Sequence, residues 1–189
     1  MPDKDAIHER GRSLEDDYFR KKDRELVEKM RRAAAAEETR KDLSARTGLT
    51  DPELLQELEA LGFTPETVNL LPLVPVVQMA WAEDAITDAE RRLLIQLARS
   101  RGIVEGSVAD RMLADWMERR PAAQVFERAM RLVRAMLAAP AREGALTADE
   151  LVKYAEDIAS ASGGIFGIRK ISAEEAELLA RIAKELTER

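Results

Sequence analysis

Apolar residues recur at three- and four-residue spacing along most of the chain, the pattern of amphipathic helices. The clearest case is the stretch 74–103, which reads VPVVQMAWAEDAITDAERRLLIQLARSRGI. It predicts an apolar helix, an acidic corner and a second helix that buries Leu93, Leu94, Leu97 and Ala98. Thr87 stands three residues before Glu90, the spacing of a capping box in which each side chain accepts a hydrogen bond from a free backbone N–H. We therefore expect the second helix to start at Thr87.

The same periodicity predicts helices in the rest of the chain, and no segment reads as a strand. Residues 1–12 are expected to be a charged tail, followed by a charged helix from Ser13 to about Lys41. Further helix starts are marked by Asp51-Pro52, Thr64-Pro65, Ser107, Pro121, Thr147 and Ser172. Pro72 and Pro75 should kink or split the helix that precedes the corner. The prediction is an all-α fold: an irregular or orthogonal bundle of seven or eight helices at 47–189, behind a charged N-terminal arm at 1–46.

A partial repeat of the corner closes the chain, 85 positions later. The repeat pairs Ile86 with Ile171, Thr87 with Ser172, Glu90 with Glu175, Leu93 with Leu178 and Leu94 with Leu179. Both copies carry a capping box, and an isoleucine just before each cap is placed to staple the chain onto the core. Two interpretations stay open: an internal duplication into two related halves, or two unrelated helices with similar caps.

This corner resembles the TerB-like (tellurite-resistance) helical superfamily, whose pattern is shared by the related domain of a DnaJ-type membrane co-chaperone. The resemblance rests on the apolar helix, the acidic turn, and Ile86, Thr87 and Glu90 followed by two leucines, and it covers roughly residues 70–186. Glu83 stands where the family usually has Asp, and Asp84 where it has Gly. The resemblance implies a non-catalytic interaction domain in bacterial stress or envelope response, and metal binding has been associated with TerB itself.

Glu83, Asp84, Asp88 and Glu90 form the best candidate ligand cluster. Carboxylates on one loop and the first turn of a helix suit a hard cation such as Ca²⁺ or Mg²⁺. In the alternative interpretation, Glu90 closes the capping box, Asp88 interacts with the helix dipole and the other two are solvated. If the repeat is a true duplication, Glu174 and Glu175 would join the cluster from the second copy.

The N-terminal helix carries a narrow apolar strip on an otherwise charged surface. Its members are Leu14, Tyr18, Phe19, Leu26, Val27 and Met30. A strip this thin fits a helix lying across the body or one that meets a protein partner. The segment also resembles the long helix of small ATPase-inhibitor proteins, which implies a further alternative, a regulator of an enzyme complex.

Composition narrows the classes of function. The net charge is −6, and residues 47–189 alone carry −7, which disfavours general nucleic-acid binding. The chain has no Cys, so thiol catalysis has no residue to use. Its single histidine, His8, lies in the expected tail, so histidine-based catalysis has no histidine in the body of the protein. The longest apolar run, 70–82, is too short for a bilayer, and no secretory signal is visible. We expect a soluble, cytoplasmic, non-enzymatic protein that binds a protein partner or a second copy of itself, with no cofactor except a divalent cation in the alternative above.

Overall fold

The computed structural model describes residues 3–140, 145–161 and 171–187, with side chains described at 18 and from 20 onward. These residues form eight α-helices and one 3-10 segment, and no strand occurs among them, which confirms the all-α prediction. The α-helices are α1 (Asp3–Thr47), α2 (Pro52–Ala60), α3 (Val74–Ala80), α4 (Asp88–Ser100), α5 (Val108–Glu118), α6 (Ala123–Ala138), α7 (Ala148–Ala161) and α8 (Ala173–Thr187), and the 3-10 segment is Val68–Leu73. The chain divides into two compact units, Met1–Lys41 and Asp42–Arg189.

The first unit is the greater part of α1, a helix of 45 residues. It begins at Asp3, so the expected tail at 1–12 is wrong for residues 3–12, and the predicted start at Ser13 is ten residues late. A single glycine, Gly11, is the only strong helix breaker in those ten residues, and one glycine costs only about 1 kcal/mol relative to alanine. Ion pairs one turn apart line the exposed surface, with Arg32 Nε 3.0 Å from Glu28 Oε1 and Lys41 Nζ 2.7 Å from Glu37 Oε1.

The second unit is built around α3. Six of its seven residues are buried, and Gln78 alone is half-buried. A helix that is apolar on every side is stable only inside a core, and α3 packs against α4, α6, α7 and α8. The prolines act as predicted: Pro72 lies inside the 3-10 segment, and Pro75 lies in the first turn of α3, where its missing N–H leaves no bond unmade.

Local capping signals locate most helix starts to within a residue. Asp51, Ser107 and Thr147 each cap the helix that follows them through a side-chain oxygen, as predicted. Three predicted starts differ from the structure. Besides α1, the start at Thr64-Pro65 leads into a turn and then the 3-10 segment at Val68, and α6 begins at Ala123, two residues after Pro121, with no side-chain cap. Val108 is the first residue of α5, lies outside its buried face and is 43 % exposed.

Two contacts join the corner to α5. Trp81 Nε1 donates a hydrogen bond to the backbone oxygen of Trp116 at 2.8 Å, and Arg91 donates to the backbone oxygen of Met117 at 3.1 Å. The Phe63 ring meets the Trp116 ring edge-on, with centroids 6.0 Å apart. Both tryptophans, expected in the core, pack there, and Trp81 also fixes the position of the chain where α3 ends.

Candidate functional site

The capping box of α4 forms as the sequence predicts. The backbone N–H of Thr87 donates to Glu90 Oε2 at 2.7 Å, and its hydroxyl donates to the same oxygen at 2.8 Å. The backbone N–H of Glu90 donates in return to Thr87 Oγ1 at 3.3 Å. The carboxylate of Glu90 therefore satisfies the free backbone N–H of Thr87 and also accepts from its hydroxyl, while Thr87 Oγ1 satisfies the backbone N–H of Glu90.

The second copy repeats this arrangement at the start of α8. Ser172 N donates to Glu175 Oε2 at 2.6 Å, and Glu175 N donates to Ser172 Oγ at 3.2 Å. The two helices begin 85 residues apart, as the repeat predicts. One expectation is wrong: Ile86 is half-buried against the core, but Ile171 is 41 % exposed and staples nothing.

The two capping glutamates are the buried acidic residues of the described core. Glu90 is 3 % exposed and Glu175 is 1 % exposed. Burial raises the pKa of the Glu90 carboxyl, the hydrogen bonds from Thr87 oppose this, and the negative charges of Glu175 and Glu83 raise the pKa further. Helix α7 packs against both α4 and α8. The repeat therefore brings one carboxylate from each copy close enough to repel the other, as expected for Glu175 but not for the exposed Glu174.

The acidic corner does not assemble into a ligand cluster. Glu83, Asp84 and Asp88 are exposed, whereas Glu90 is buried and bound to Thr87. Among the described residues, no group of three or more His, Cys, Asp or Glu side chains is placed to hold a metal ion. A cation at this corner would have to compete with the capping hydrogen bonds for the Glu90 carboxylate, and metal binding here stays a prediction.

The apolar strip of the arm is exposed wherever its side chains are described. The exposed fractions are 58 % for Tyr18, 57 % for Leu26, 47 % for Val27 and 64 % for Met30. Lys22 Nζ lies 5.7 Å from the centroid of the Tyr18 ring, a cation–π distance. The side chains of Leu14 and Phe19, also predicted for this surface, lie outside the described residues.

Sequence reasoning missed one feature of the second unit, an open groove of about 1300 Å³. Its cationic lining residues are Arg46, Arg101, Arg131 and Arg134, and Asp149 is the acidic residue of the described lining. The apolar part of the lining includes Val68, Pro72, Met136, Leu146 and Leu186. These arginines come from the end of α1, the end of α4 and the middle of α6. No spacing in the sequence relates them, so only the packing of the helices could reveal the groove.

Comparison of the chain with protein-family models, with curated proteins and with solved structures found no match. The TerB-like resemblance is therefore a prediction that rests on the corner and its repeat. No helix in the described part of the chain is long and apolar enough to cross a membrane.

Proposed function

We propose that the chain is a non-catalytic, TerB-like helical interaction domain whose first helix is the contact element for a protein partner. The observation that carries this proposal is the exposed apolar strip. Seven large hydrophobic side chains are exposed among the described residues, and four of them, Tyr18, Leu26, Val27 and Met30, lie within 13 residues of α1. Scattered exposed hydrophobics are ordinary on a protein surface, but a run of them along one helix is typical of a binding element.

The geometry of an α-helix places three of these residues on one side. Each residue advances about 100° around the axis, so Leu26 and Met30 lie one above the other, with Val27 beside them. Tyr18 lies two turns earlier, about 80° around the axis from Leu26 and on the side away from Val27. Such a strip, flanked by charged residues, matches the way an amphipathic helix enters an apolar groove of a partner. By the resemblance, the proposed setting is bacterial stress or envelope response, and the proposed location is the cytoplasm.

The buried chemistry supports a binding role over catalysis. The described core holds two buried carboxylates, Glu90 and Glu175, and both accept hydrogen bonds from the caps of their own helices. Catalytic acids and bases are instead directed toward a substrate cleft.

The test compares two double substitutions in the full chain. Leu26→Gln with Met30→Gln removes the centre of the strip, and Glu28→Gln with Arg32→Gln removes an exposed ion pair on the opposite side of the helix. Each variant replaces two residues one turn apart with the same helix-forming residue, and each keeps the net charge. Circular dichroism checks that both retain the helix content of the native chain.

Cross-linking and affinity capture from the source cells should recover a partner with the native chain and the ion-pair variant, and lose it with the strip variant. If the partner is a second copy of the chain, sedimentation should show the same order, with the strip variant alone monomeric. Equal capture and equal sedimentation for all three proteins would refute the proposal that α1 is the contact element.

A further inference from the structure

The arginine-lined groove stands out from the charge of the unit that carries it. Residues 42–189 have a net charge of −7, yet four arginines and a single aspartate line the described part of the groove. The described lining of the groove is therefore positively charged, although the unit as a whole is acidic. Such a lining raises the local density of anions and steers them toward the groove.

Two of the four arginines already interact with acidic residues. Arg131 forms an ion pair with Glu57, and Arg128 pairs with the same carboxylate at 2.9 Å. The positive charge of Arg101 interacts favourably with the carboxylate of Glu150. Arg46 and Arg134 are exposed, and neither forms a hydrogen bond or ion pair with a residue that the structure describes. An incoming carboxylate would thus find two guanidinium groups that no described carboxylate occupies.

The size and lining of the groove indicate what fits it. Pockets for small molecules measure about 300–1000 Å³, and this groove is larger and open to solvent. Its apolar side chains, among them Met136 and Leu146, offer a surface for apolar residues beside the arginines. All described elements are helical, so no sheet edge is present there to extend by a bound strand, and no aromatic side chain lines the described groove to hold a polyproline segment. An amphipathic helix with acidic residues matches both the arginines and the apolar part of the lining.

Two other polyanionic partners fit less well. No aromatic side chain lines the described groove, so bases would find nothing on which to stack. The net negative charge of the unit would repel both a nucleic acid and an anionic membrane, which present charge over an area far wider than the groove. A short peptide presents its charge only where the arginines are.

We propose that this groove binds an acidic amphipathic helix of a protein partner, with carboxylates paired to Arg46 and Arg134 and apolar residues against the face that includes Met136. This surface belongs to the second unit and does not depend on the strip of α1. The two proposals can therefore fail separately.

The test begins with a display library of random peptides of about 14 residues, four helical turns, selected on the full chain. Arg46→Gln with Arg134→Gln is the test variant. Arg119→Gln with Arg120→Gln is the matched control, because both of its arginines are exposed and lie outside the groove, and it changes the net charge equally. Thermal unfolding confirms that both variants fold, and the Leu26→Gln/Met30→Gln variant of α1 is measured beside them.

The selected peptides should combine two or more acidic residues with apolar residues at helical spacing. In fluorescence polarisation, the groove variant should bind them about tenfold more weakly or worse, the loss expected for charge-assisted hydrogen bonds. The matched control and the α1 variant should bind as the native chain does, and added salt should weaken binding to the native chain more than to the groove variant.

Three results would overturn the proposal. One is the absence of enriched peptides, or enrichment of peptides without acidic residues. Another is equal affinity for the groove variant and its control. The third is a groove that prefers another anion, shown by dodecanoate or a single-stranded oligonucleotide binding there in an arginine-dependent way while no acidic peptide is selected.

Discussion

Replacing Glu90 with glutamine should leave the protein as stable as before, or more stable, at neutral pH. The glutamine side chain keeps the shape of the glutamate and an oxygen that can accept the hydrogen bonds from Thr87. It removes a charge that is buried and is repelled by Glu175 and Glu83. Replacing Glu90 with alanine instead removes the acceptor and leaves the donors of Thr87 without a partner.

The expected magnitudes follow from the balance at this site. Exchanging a charged acceptor for a neutral one weakens its hydrogen bonds by about 1 kcal/mol each. The raised pKa of Glu90 means that burial and repulsion together outweigh the hydrogen bonds that favour its charge. The glutamine variant should therefore melt at the same temperature as the native chain at neutral pH, or at a higher one. The alanine variant should lose about 1–3 kcal/mol, through the lost cap and the unsatisfied donors.

The pH dependence of stability is a second check on whether Glu90→Gln stabilises the protein. The pKa of Glu90 is raised above its usual value of 4.5, so between these two values the folded protein binds more protons than the unfolded chain. The stability that Glu90 contributes is thus fully present below pH 4.5 and is lost as the pH rises through the folded pKa. The advantage of the glutamine variant should be near zero at the acidic end and grow toward neutral pH.

Urea unfolding of the native chain and both variants, at several pH values from about 4.5 to 7.5, measures this advantage directly. Glu175→Gln, alone and combined with Glu90→Gln, measures the repulsion between the two carboxylates: each change should help less when the other is already made. A glutamine variant as unstable as the alanine variant at neutral pH, or an advantage that does not vary with pH, would refute this reasoning.

Three further changes test other parts of the second unit. Glu57→Gln should cost about 1–2 kcal/mol at neutral pH. Burial acts to raise the pKa of Glu57, but its two arginine partners outweigh burial and lower it. The stability lost by the glutamine variant should therefore shrink as the pH falls through that lowered pKa. A loss that stays constant with pH in urea unfolding would contradict this. Trp81→Phe loses the bond to the Trp116 oxygen and should lower stability by about 1–3 kcal/mol in thermal unfolding; an unchanged melting temperature would show that the bond contributes nothing. Gly62→Ala should cost about 1–2 kcal/mol from the backbone alone, because φ is +83° and no atom lies within 4 Å of the added Cβ; a neutral result in urea unfolding would show that the turn can relax.

The parts of the fold that the sequence predicted are those governed by neighbouring residues. Thr87 and Glu90 are three positions apart, so each side chain can accept from the backbone N–H of the other in a helix that has Thr87 as its cap. The start of α4 follows from that pair. A 3-10 segment replaces an α-helix around Pro72, because proline has no backbone N–H to donate and its ring clashes with the preceding turn. The predicted start of α1 at Ser13 was wrong because a serine is tolerated inside a helix as well as at its cap, and no proline between Asp3 and Arg12 prevents an earlier start.

The groove could not be predicted because nothing local relates its residues. Arg46 and Arg134 lie 88 positions apart and meet around one opening only after α6 has packed into the unit. The position of a residue in the sequence fixes which face of its own helix it lies on, but the neighbours of that face depend on how the other helices cross. Helix starts are therefore readable from this chain, and its concave surfaces are not.

Glu90 belongs to two predicted features of the corner that exclude each other. The spacing of Thr87 and Glu90 predicts a cap, and the cluster Glu83, Asp84, Asp88 and Glu90 predicts a cation site, but both need the same carboxylate. A capping carboxylate is held by neutral donors within one helical turn, at little entropic cost, whereas a cation must first be stripped of water and then find ligands on an exposed loop. In the structure the other three acids are exposed and the Glu90 carboxylate forms the cap, so the cation site stays a prediction. Calorimetry with Ca²⁺ and Mg²⁺ on the native chain and the Glu90→Gln variant decides between the two: equal absence of heat favours the cap, and heat that the substitution abolishes would restore the cation site.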